Sequence, residues 1–362
     1  MTTLTETLRP LGMGELLDRA IRLYRRNFFK FIGVIALMQV PFAVISLIVT
    51  LATSEAVLEA IPNLEEISPD ENPLEAFGSD YYVGIAANLV VVVAELILVG
   101  GVASAALARI VADSYLGEEL STLNAYRAVG NRWAVLVRAI LLFLGANILL
   151  FGWTIVPCAG WLTGPGMLIV LAAMVFPLVA PVVVMEDFGA RKSIRRAWEL
   201  VRGRFWWIFG FSLMLFLFNW VVVSGPLLVA NYGISLLLPE SLFENPETYD
   251  NLTLAIQALI TLFFELLYLP LQLTCLTLLY FDLRVRTEGL DLVLHTRTGE
   301  AHDAVPVRDL VAGTSKLPDR AVFTGREIGN FAMLTLLLIG VYIIFLIGIV
   351  GVMGVFFPGA LG

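Results

Sequence analysis

Long runs of residues with little or no charge constrain the fold of this chain more than any other feature of its sequence. The longest run covers residues 139–185, which are 47 uncharged residues. A helix needs about 20 mostly apolar residues to cross the roughly 30 Å hydrocarbon core of a bilayer. This run is therefore long enough for two spans, and the stretch 158–166, rich in glycine and containing a proline, divides it. Five more runs lie between Lys30 and Glu55, Asp80 and Arg109, Arg204 and Glu240, Asp250 and Asp282, and after Glu327.

These runs indicate the fold class. Lipid offers no water to the backbone, so a single span can satisfy its N–H and C=O groups only as a helix. The chain is 59% hydrophobic and 15% charged, whereas soluble domains contain about 25% charged residues. The sequence therefore predicts an all-α polytopic membrane protein with about seven transmembrane helices.

The basic residues predict the orientation of the spans. All 23 lysines and arginines lie at the N-terminus, in the loops after the second and fourth spans, and after the sixth span. The opposite loops, Thr53–Asp80 and Pro239–Asp250, carry eight and four acids and no base. Because cytoplasmic loops collect Lys and Arg, we expect a multi-pass plasma-membrane protein with a cytoplasmic N-terminus and a C-terminus outside.

Three basic segments, Leu16–Phe28, Ser121–Trp133 and Ser193–Phe205, each precede a pair of spans. The first and third align at an offset of 177 residues, with matches that include Arg19 and Arg196, Leu23 and Leu200, and Phe28 and Phe205. This pattern predicts three repeats of an interfacial amphipathic helix plus a helix pair, with span seven as an addition. The predicted boundaries are a six-span domain at 1–283 (repeats at about 12–115, 120–187 and 188–283), a cytoplasmic connecting segment at 284–328 and a seventh helix at 329–357.

The first and third segments are amphipathic at helical periodicity. We expect their apolar stripes to lie in the headgroup boundary and their basic faces to contact anionic lipid, at about 1 kcal/mol per basic residue near the surface. These residues either only anchor the adjacent spans or form a specific site for a lipid or partner. The predicted headgroup contacts are Arg19, Arg22, Arg25, Arg26, Lys192, Arg195, Arg196 and Arg202.

Glu95 and Glu265 are the candidate functional residues inside the membrane. A charge at the centre of a span costs about 2.5–3.5 kcal/mol on insertion scales, and each glutamate lies mid-span in the second span of its predicted repeat. One hypothesis is a proton- or cation-coupled site at the repeat interface. The other is a protonated side chain hydrogen-bonded to a neighbouring helix. The partners considered for that hydrogen bond are Asn88, Asn147, Asn219 and Gln257.

Other chemistry has little support in the sequence. Two cysteines are too few for a disulfide framework or a thiolate metal site, and the spacing of His295 and His302 fits no metal signature. No phosphate-binding glycine loop or nucleophile elbow occurs. We expect no metal, no cofactor and no catalytic residue. Pro177 and Pro181, one turn apart, predict a bent fourth span.

Three stretches, at residues 9–28, 193–206 and 280–292, resemble the membrane domain of the glycerophosphoryl diester phosphodiesterase family. The resemblance covers roughly residues 8–295. In that family the domain precedes a soluble catalytic barrel or occurs alone. The barrel is absent here, so none of the family's catalytic residues carries over. The resemblance implies a bacterial or archaeal plasma-membrane protein linked to glycerophospholipids, but not hydrolysis.

Three functions follow as hypotheses. The first is a non-catalytic domain that anchors, scaffolds or recruits a membrane or cytoplasmic protein at a bilayer with anionic headgroups, without binding nucleic acid. The second is a transporter or lipid-moving protein that uses Glu95 and Glu265. The third, a membrane-embedded enzyme, lacks any pairing of a nucleophile with a base. Replacing both glutamates by Gln distinguishes the first two, because transport needs the carboxylates.

Overall fold

The computed structural model describes residues 9–63, 78–116, 121–186, 188–237, 246–292, 311 and 321–356. Within these residues the chain is helical without strands, and seven helices are long and apolar enough to cross a membrane. The predicted fold class is therefore confirmed. The acidic loop at 64–77, both histidines and most of the connecting segment lie outside the described residues.

Ten helices are described, three short and seven long. The short ones are α1 (Met13–Arg26), α4 (Thr122–Gly130) and α7 (Ala190–Arg202). The long ones are α2 (Phe28–Asn63), α3 (Ser79–Leu116), α5 (Trp133–Trp153), α6 (Ala159–Met185), α8 (205–237), α9 (Pro246–Glu288) and α10 (Gly325–Phe356). Along the chain, a short helix followed by two long ones occurs three times before α10.

The uncharged run at 139–185 forms two helices, as predicted. They are joined at Cys158, whose φ of 62° is unusual for a residue with a side chain. The turn is tight, because a Cβ added to Gly160 would lie 2.0 Å from the carbonyl oxygen of Trp153. The seventh helix begins at Gly325, four residues before its predicted start at 329.

Three long helices contain a π-helical turn that the sequence analysis did not predict. These turns cover Leu98–Ala103 in α3, Val170–Val175 in α6 and Trp220–Ser224 in α8. In α6 the π turn comes directly before Pro177, which has no N–H to donate to the preceding turn. The irregularity expected in the fourth span is therefore a change in helix type beside the proline.

The basic residues lie on one side of the molecule. Arg19 in α1 donates to Tyr115 at the end of α3, and Arg132 before α5 donates to the carbonyl of Glu186 after α6. Arg202 at the end of α7 pairs with Glu327 at the start of α10. We call this side the basic face. The opposite side, where Asp80 and Asp250 lie near the starts of α3 and α9, is the acidic face.

Packing is dense near the basic face and sparse near the acidic face. The buried core contains the C-terminal parts of α3, α6 and α9, with Ile110, Val183 and Leu283 fully buried. Toward the acidic face, large apolar side chains such as Val83 and Leu259 are mostly exposed. These exposed surfaces are those that lipid tails would cover.

Part of the apolar stripe of α1 and of α7 packs against other helices, which the sequence analysis did not predict. Leu16 and Ala20 of α1 are fully buried against protein, and so are Ala197 and Val201 of α7. Helix α1 packs against α9, and α7 packs against α6 and α5. Other helices therefore cover part of each apolar stripe, whereas Leu17 and Leu23 of α1 are only partly buried. That these stripes lie in the headgroup boundary stays a prediction.

Candidate functional site

Three polar side chains from three helices converge on one cavity between the spans. Gln39 of α2, Glu95 of α3 and Glu265 of α9 all line it, and its volume is about 320 Å³. Glu95 and Glu265 are near enough for their charges to interact. The structure therefore brings together two residues that are 170 positions apart in the chain.

The three side chains lie near the middle of their spans. Gln39 is in the span Phe28–Ser54, and Glu95 and Glu265 are in Ser79–Leu116 and Thr248–Glu288. Each is at least ten residues from either end of its span, which corresponds to about 15 Å or more of helix. Such a depth is expensive for a charge, and residues of this kind usually mark a pathway or a binding site.

Gln39 is the residue that holds Glu265. Its Nε2 donates a hydrogen bond to Oε2 of Glu265 at 3.0 Å. The side chain is 4% exposed, and its Oε1 atom is buried without a hydrogen-bond partner among the described residues. A buried acceptor without a partner costs about 1–3 kcal/mol, and the Oε1 atom lies on a side chain that lines the cavity.

Three of the four partners considered for the glutamates, Asn88, Gln257 and Asn147, donate hydrogen bonds to other groups. Asn88 donates to Thr53 at 2.9 Å, Gln257 donates to Asn231 at 2.6 Å, and Asn147 donates to the carbonyl of Phe143 in its own helix. Sequence reasoning missed Gln39. The signal was present, because Gln39 is the one amide side chain in the uncharged run between Lys30 and Glu55.

The cavity continues toward the acidic face. A second cavity of about 610 Å³ includes Asn88, Thr53 and Asp250, and it shares Thr50 and Gln257 with the first. From Gln39 to Thr53 the α2 helix rises about 21 Å, at about 1.5 Å per residue. The two cavities, together called the groove, therefore share part of their lining, and they extend from the level of the glutamates toward the acidic face.

The donor set limits what this site can bind. Two carboxyl groups and an amide oxygen are hard oxygen ligands, which suit protons and hard cations rather than soft metals. No group of three His, Cys, Asp or Glu residues able to hold a metal ion occurs in the described ranges. The arrangement can bind a proton or one cation of low charge between the two carboxylates.

The π turn of α3 lies close to the site. It begins at Leu98, three residues after Glu95, and the backbone of Glu95 takes part in the preceding α-helical turn. π turns are rare and are often found at functional sites. Here the wider turn separates the half of α3 that carries Glu95 from the densely packed half that ends at the basic face.

A buried network of charged residues lies at the basic face, and the sequence analysis did not predict it. Glu186, whose side chain is fully buried, accepts hydrogen bonds from Arg196 at 2.8 Å and from Tyr280 at 2.8 Å. Arg284 is fully buried as well; it donates to Tyr280 at 3.0 Å and pairs with Glu288. The network joins the end of α6 to α7 and α9.

A similar contact holds Leu11, which lies just before α1. Asp282 accepts the N–H of Leu11 at 2.7 Å and pairs with Arg286, whose guanidinium also donates to the carbonyl oxygen of Leu11. In α3 a second buried pair joins Arg109 to Asp113 at 3.0 Å. These contacts have a structural role, because the two groups of each pair neutralise each other inside the protein.

The predicted headgroup contacts divide into three groups. Arg196 is a correction, because its side chain is 3% exposed and paired with Glu186, so it cannot reach lipid. Arg19, Arg195 and Arg202 are partly buried. The exposed members of the set are Arg22, Arg25, Arg26 and Lys192.

Seven helices able to cross a membrane, with an acidic cavity between three of them, define a polytopic α-helical membrane protein with a polar intramembrane site. No family model matches the chain, and no curated protein or solved structure matches it. The resemblance to the phosphodiesterase membrane domain therefore stays a prediction.

Proposed function

We propose that this protein is a transporter that binds a proton or a small cation between Glu95 and Glu265 and couples this binding to the movement of a solute. One observation carries the proposal. Glu95, Glu265 and the buried Gln39 line a single cavity that continues to the acidic face. A purely structural glutamate would need one hydrogen-bond partner, and it would not need a second carboxyl group or an access route.

The physical basis is electrostatic. Two carboxylates that share a cavity repel each other unless a proton or a cation lies between them. The amide of Gln39 orients Glu265 through its Nε2 and keeps its Oε1 available as a third oxygen ligand. Occupation of the site therefore changes the force between α3 and α9, and that change can drive a conformational transition.

The predicted orientation of the spans gives the access route a direction. With the N-terminus in the cytoplasm, the acidic face is extracellular and the groove leads from outside to the middle of the plasma membrane. The carboxylate of Asp250 at the mouth of the groove would raise the local concentration of cations there. Cations would then enter from outside, and a transition near the basic face would release them to the cytoplasm.

The test measures cation-dependent stability, because a ligand that binds only the folded protein stabilises it by RT ln(1 + [L]/Kd). Thermal unfolding in detergent would be followed in NaCl, KCl and choline chloride at equal ionic strength, and across pH. At ten times Kd the expected gain is about 1.4 kcal/mol. Glu95→Gln, Glu265→Gln and Gln39→Leu should each reduce it or abolish it.

A matched control is Asn147→Leu, which removes an amide from a different span at a position outside the cavity. It should keep the cation- and pH-dependent stabilisation. Proton and sodium fluxes in proteoliposomes then test transport directly. If the wild-type protein shows neither ion-dependent stability nor a response to pH, and if the glutamine variants match it, the glutamates have a structural role.

The scaffolding hypothesis stays a prediction, and so does the link to glycerophospholipids. The same variants distinguish the two functions. A scaffold would still recruit its partner after Glu95→Gln and Glu265→Gln, because these side chains lie in the middle of the membrane, far from any soluble protein.

A further inference from the structure

A second cavity, separate from the acidic one, lies near the basic face. Helices α5, α6, α7 and α10 line it, its volume is about 650 Å³, and none of the described residues lines both this cavity and the acidic one. Its lining is divided by chemistry. One part of the lining is apolar, with Leu142, Leu150 and Met167. Three basic side chains lie at the rim of the cavity.

The cations at the rim belong to the first half of α7. Arg191, Lys192 and Arg195 line the cavity, and Arg191 and Lys192 are exposed. An adjoining cavity of about 760 Å³ shares Arg191 and Lys192 and adds Arg138 of α5. No Asp or Glu is among the described residues that line either cavity.

Other basic residues of α7 have a different role. Arg196 pairs with Glu186, and Arg202 pairs with Glu327. One face of the helix is thus neutralised by protein carboxylates. The face over the cavity carries Arg191, Lys192 and Arg195, and these charges lie at the start of a helix, where the dipole also favours an anion.

The apolar part of the lining is long enough for a section of a hydrocarbon chain, and we call it the slot. It extends along α5 from Leu142 to Leu150, which is about 12 Å of helix. Aromatic rings close the slot near the rim, where the ring centroid of Trp198 lies 5.6 Å from that of Phe323 and 5.9 Å from that of Phe331. An occupant must therefore be apolar along most of its length and negatively charged at one end.

We propose that this cavity binds one anionic phospholipid from the leaflet at the basic face. Its phosphate lies against Arg191, Lys192 and Arg195, and one acyl chain occupies the slot between α5 and α6 that α10 closes. A soluble phosphate compound would satisfy the cations but would leave the apolar slot uncovered. The combination of charge and apolar surface therefore favours a lipid.

Native mass spectrometry of the full chain tests this proposal, after extraction into detergent and exchange with mixtures of phosphatidylglycerol and phosphatidylcholine. We expect one phosphatidylglycerol retained per protein in preference to phosphatidylcholine. A basic residue near an anionic lipid contributes about fivefold in affinity, so Arg191→Gln, Lys192→Gln and Arg195→Gln together should weaken retention by about 100-fold.

The matched control is the triple variant Arg22→Gln, Arg25→Gln and Arg26→Gln. It removes the same charge from exposed positions of α1, and it should retain the lipid. Leu171→Trp narrows the slot without changing any charge and should lower retention of both lipids. Thermal unfolding of each variant shows whether the fold is kept.

Three results would overturn the proposal. They are equal retention of phosphatidylcholine, equal loss of phosphatidylglycerol in the α1 control, and displacement of the lipid by glycerol phosphate at the same concentration. The first would remove the role of charge, and the second would show that lipid binding is a diffuse property of the basic face. The third would assign the rim to a soluble phosphate. Failure here would leave the Glu95–Glu265 proposal untouched, since the two cavities share no residue.

Discussion

Neutralising Glu186 should destabilise this protein far more than neutralising an exposed acid on the same face. The carboxylate of Glu186 is fully buried and accepts hydrogen bonds from Arg196 and Tyr280, with Arg284 3.9 Å away. The substitution Glu186→Gln keeps the shape and one acceptor oxygen but removes the charge. Arg196 and Arg284 then lose one carboxylate partner and keep the contact with Glu288.

Breaking a buried ion pair by removing one partner costs about 3–5 kcal/mol. We expect Glu186→Gln to lower the free energy of unfolding by about that amount. The matched control is Asp18→Asn, which breaks the pair with Arg22, where both side chains are more than 60% exposed. Exposed pairs contribute about 0–1 kcal/mol, so this variant should be nearly neutral.

The assay is reversible unfolding in mixed micelles of a mild detergent and SDS, followed by tryptophan fluorescence. A double variant, Glu186→Gln with Arg196→Met, should recover part of the loss, because it removes one of the two buried cations that lost the carboxylate of Glu186. Equal losses in Glu186→Gln and Asp18→Asn would refute the reasoning. Such a result would mean that water or lipid headgroups compensate the charges of the network, so the network is not isolated inside the protein.

Two further predictions concern the seventh span and the topology. A Cβ at Gly166 would lie 2.0 Å from the carbonyl oxygen of Phe331, so Gly166→Ala should push α10 away from α6 and cost about 1–3 kcal/mol. Gly145→Ala, where nothing lies within 4 Å, should not destabilise the protein in the same SDS titration. A membrane-impermeant maleimide added to intact cells should label the exposed Cys158 and not the buried Cys275. Labelling of Cys158 only after the membrane is opened would contradict the predicted orientation.

The sequence was sufficient to predict the spans because the physical rule behind them is local. The break near Cys158 follows from an uncharged run too long for one span and from the glycines and proline inside it, and the predicted start of α10 at 329 lies four residues after its start at Gly325. The placement of α1 and α7 was not predictable in this way. An amphipathic helix has the same pattern whether its apolar stripe faces lipid or protein, and only the packing of α9 and α6 distinguishes the two.

The candidate site was predictable in part for a similar reason. A glutamate inside an apolar run is visible in the sequence, so Glu95 and Glu265 were identified. Their convergence on one cavity, and the part of Gln39 in it, depend on helix rotation. Successive side chains on a helix point about 100° apart, so the rotation of the helix decides whether a given side chain faces lipid or the bundle. For Arg196, the contact with Glu186 depends on how two separate helices pack.

The uneven packing between the two faces has a consequence for how the protein responds to its membrane. Near the basic face, buried ion pairs and core side chains fix the helices, whereas toward the acidic face the same helices have large exposed apolar surfaces. When such a bundle changes conformation, its cross-sectional area changes mainly in one leaflet. The equilibrium between its conformations is therefore expected to depend on the lateral pressure of that leaflet. Lipids of different molecular shape would then regulate the protein from the side opposite to its fixed end, without occupying any binding site.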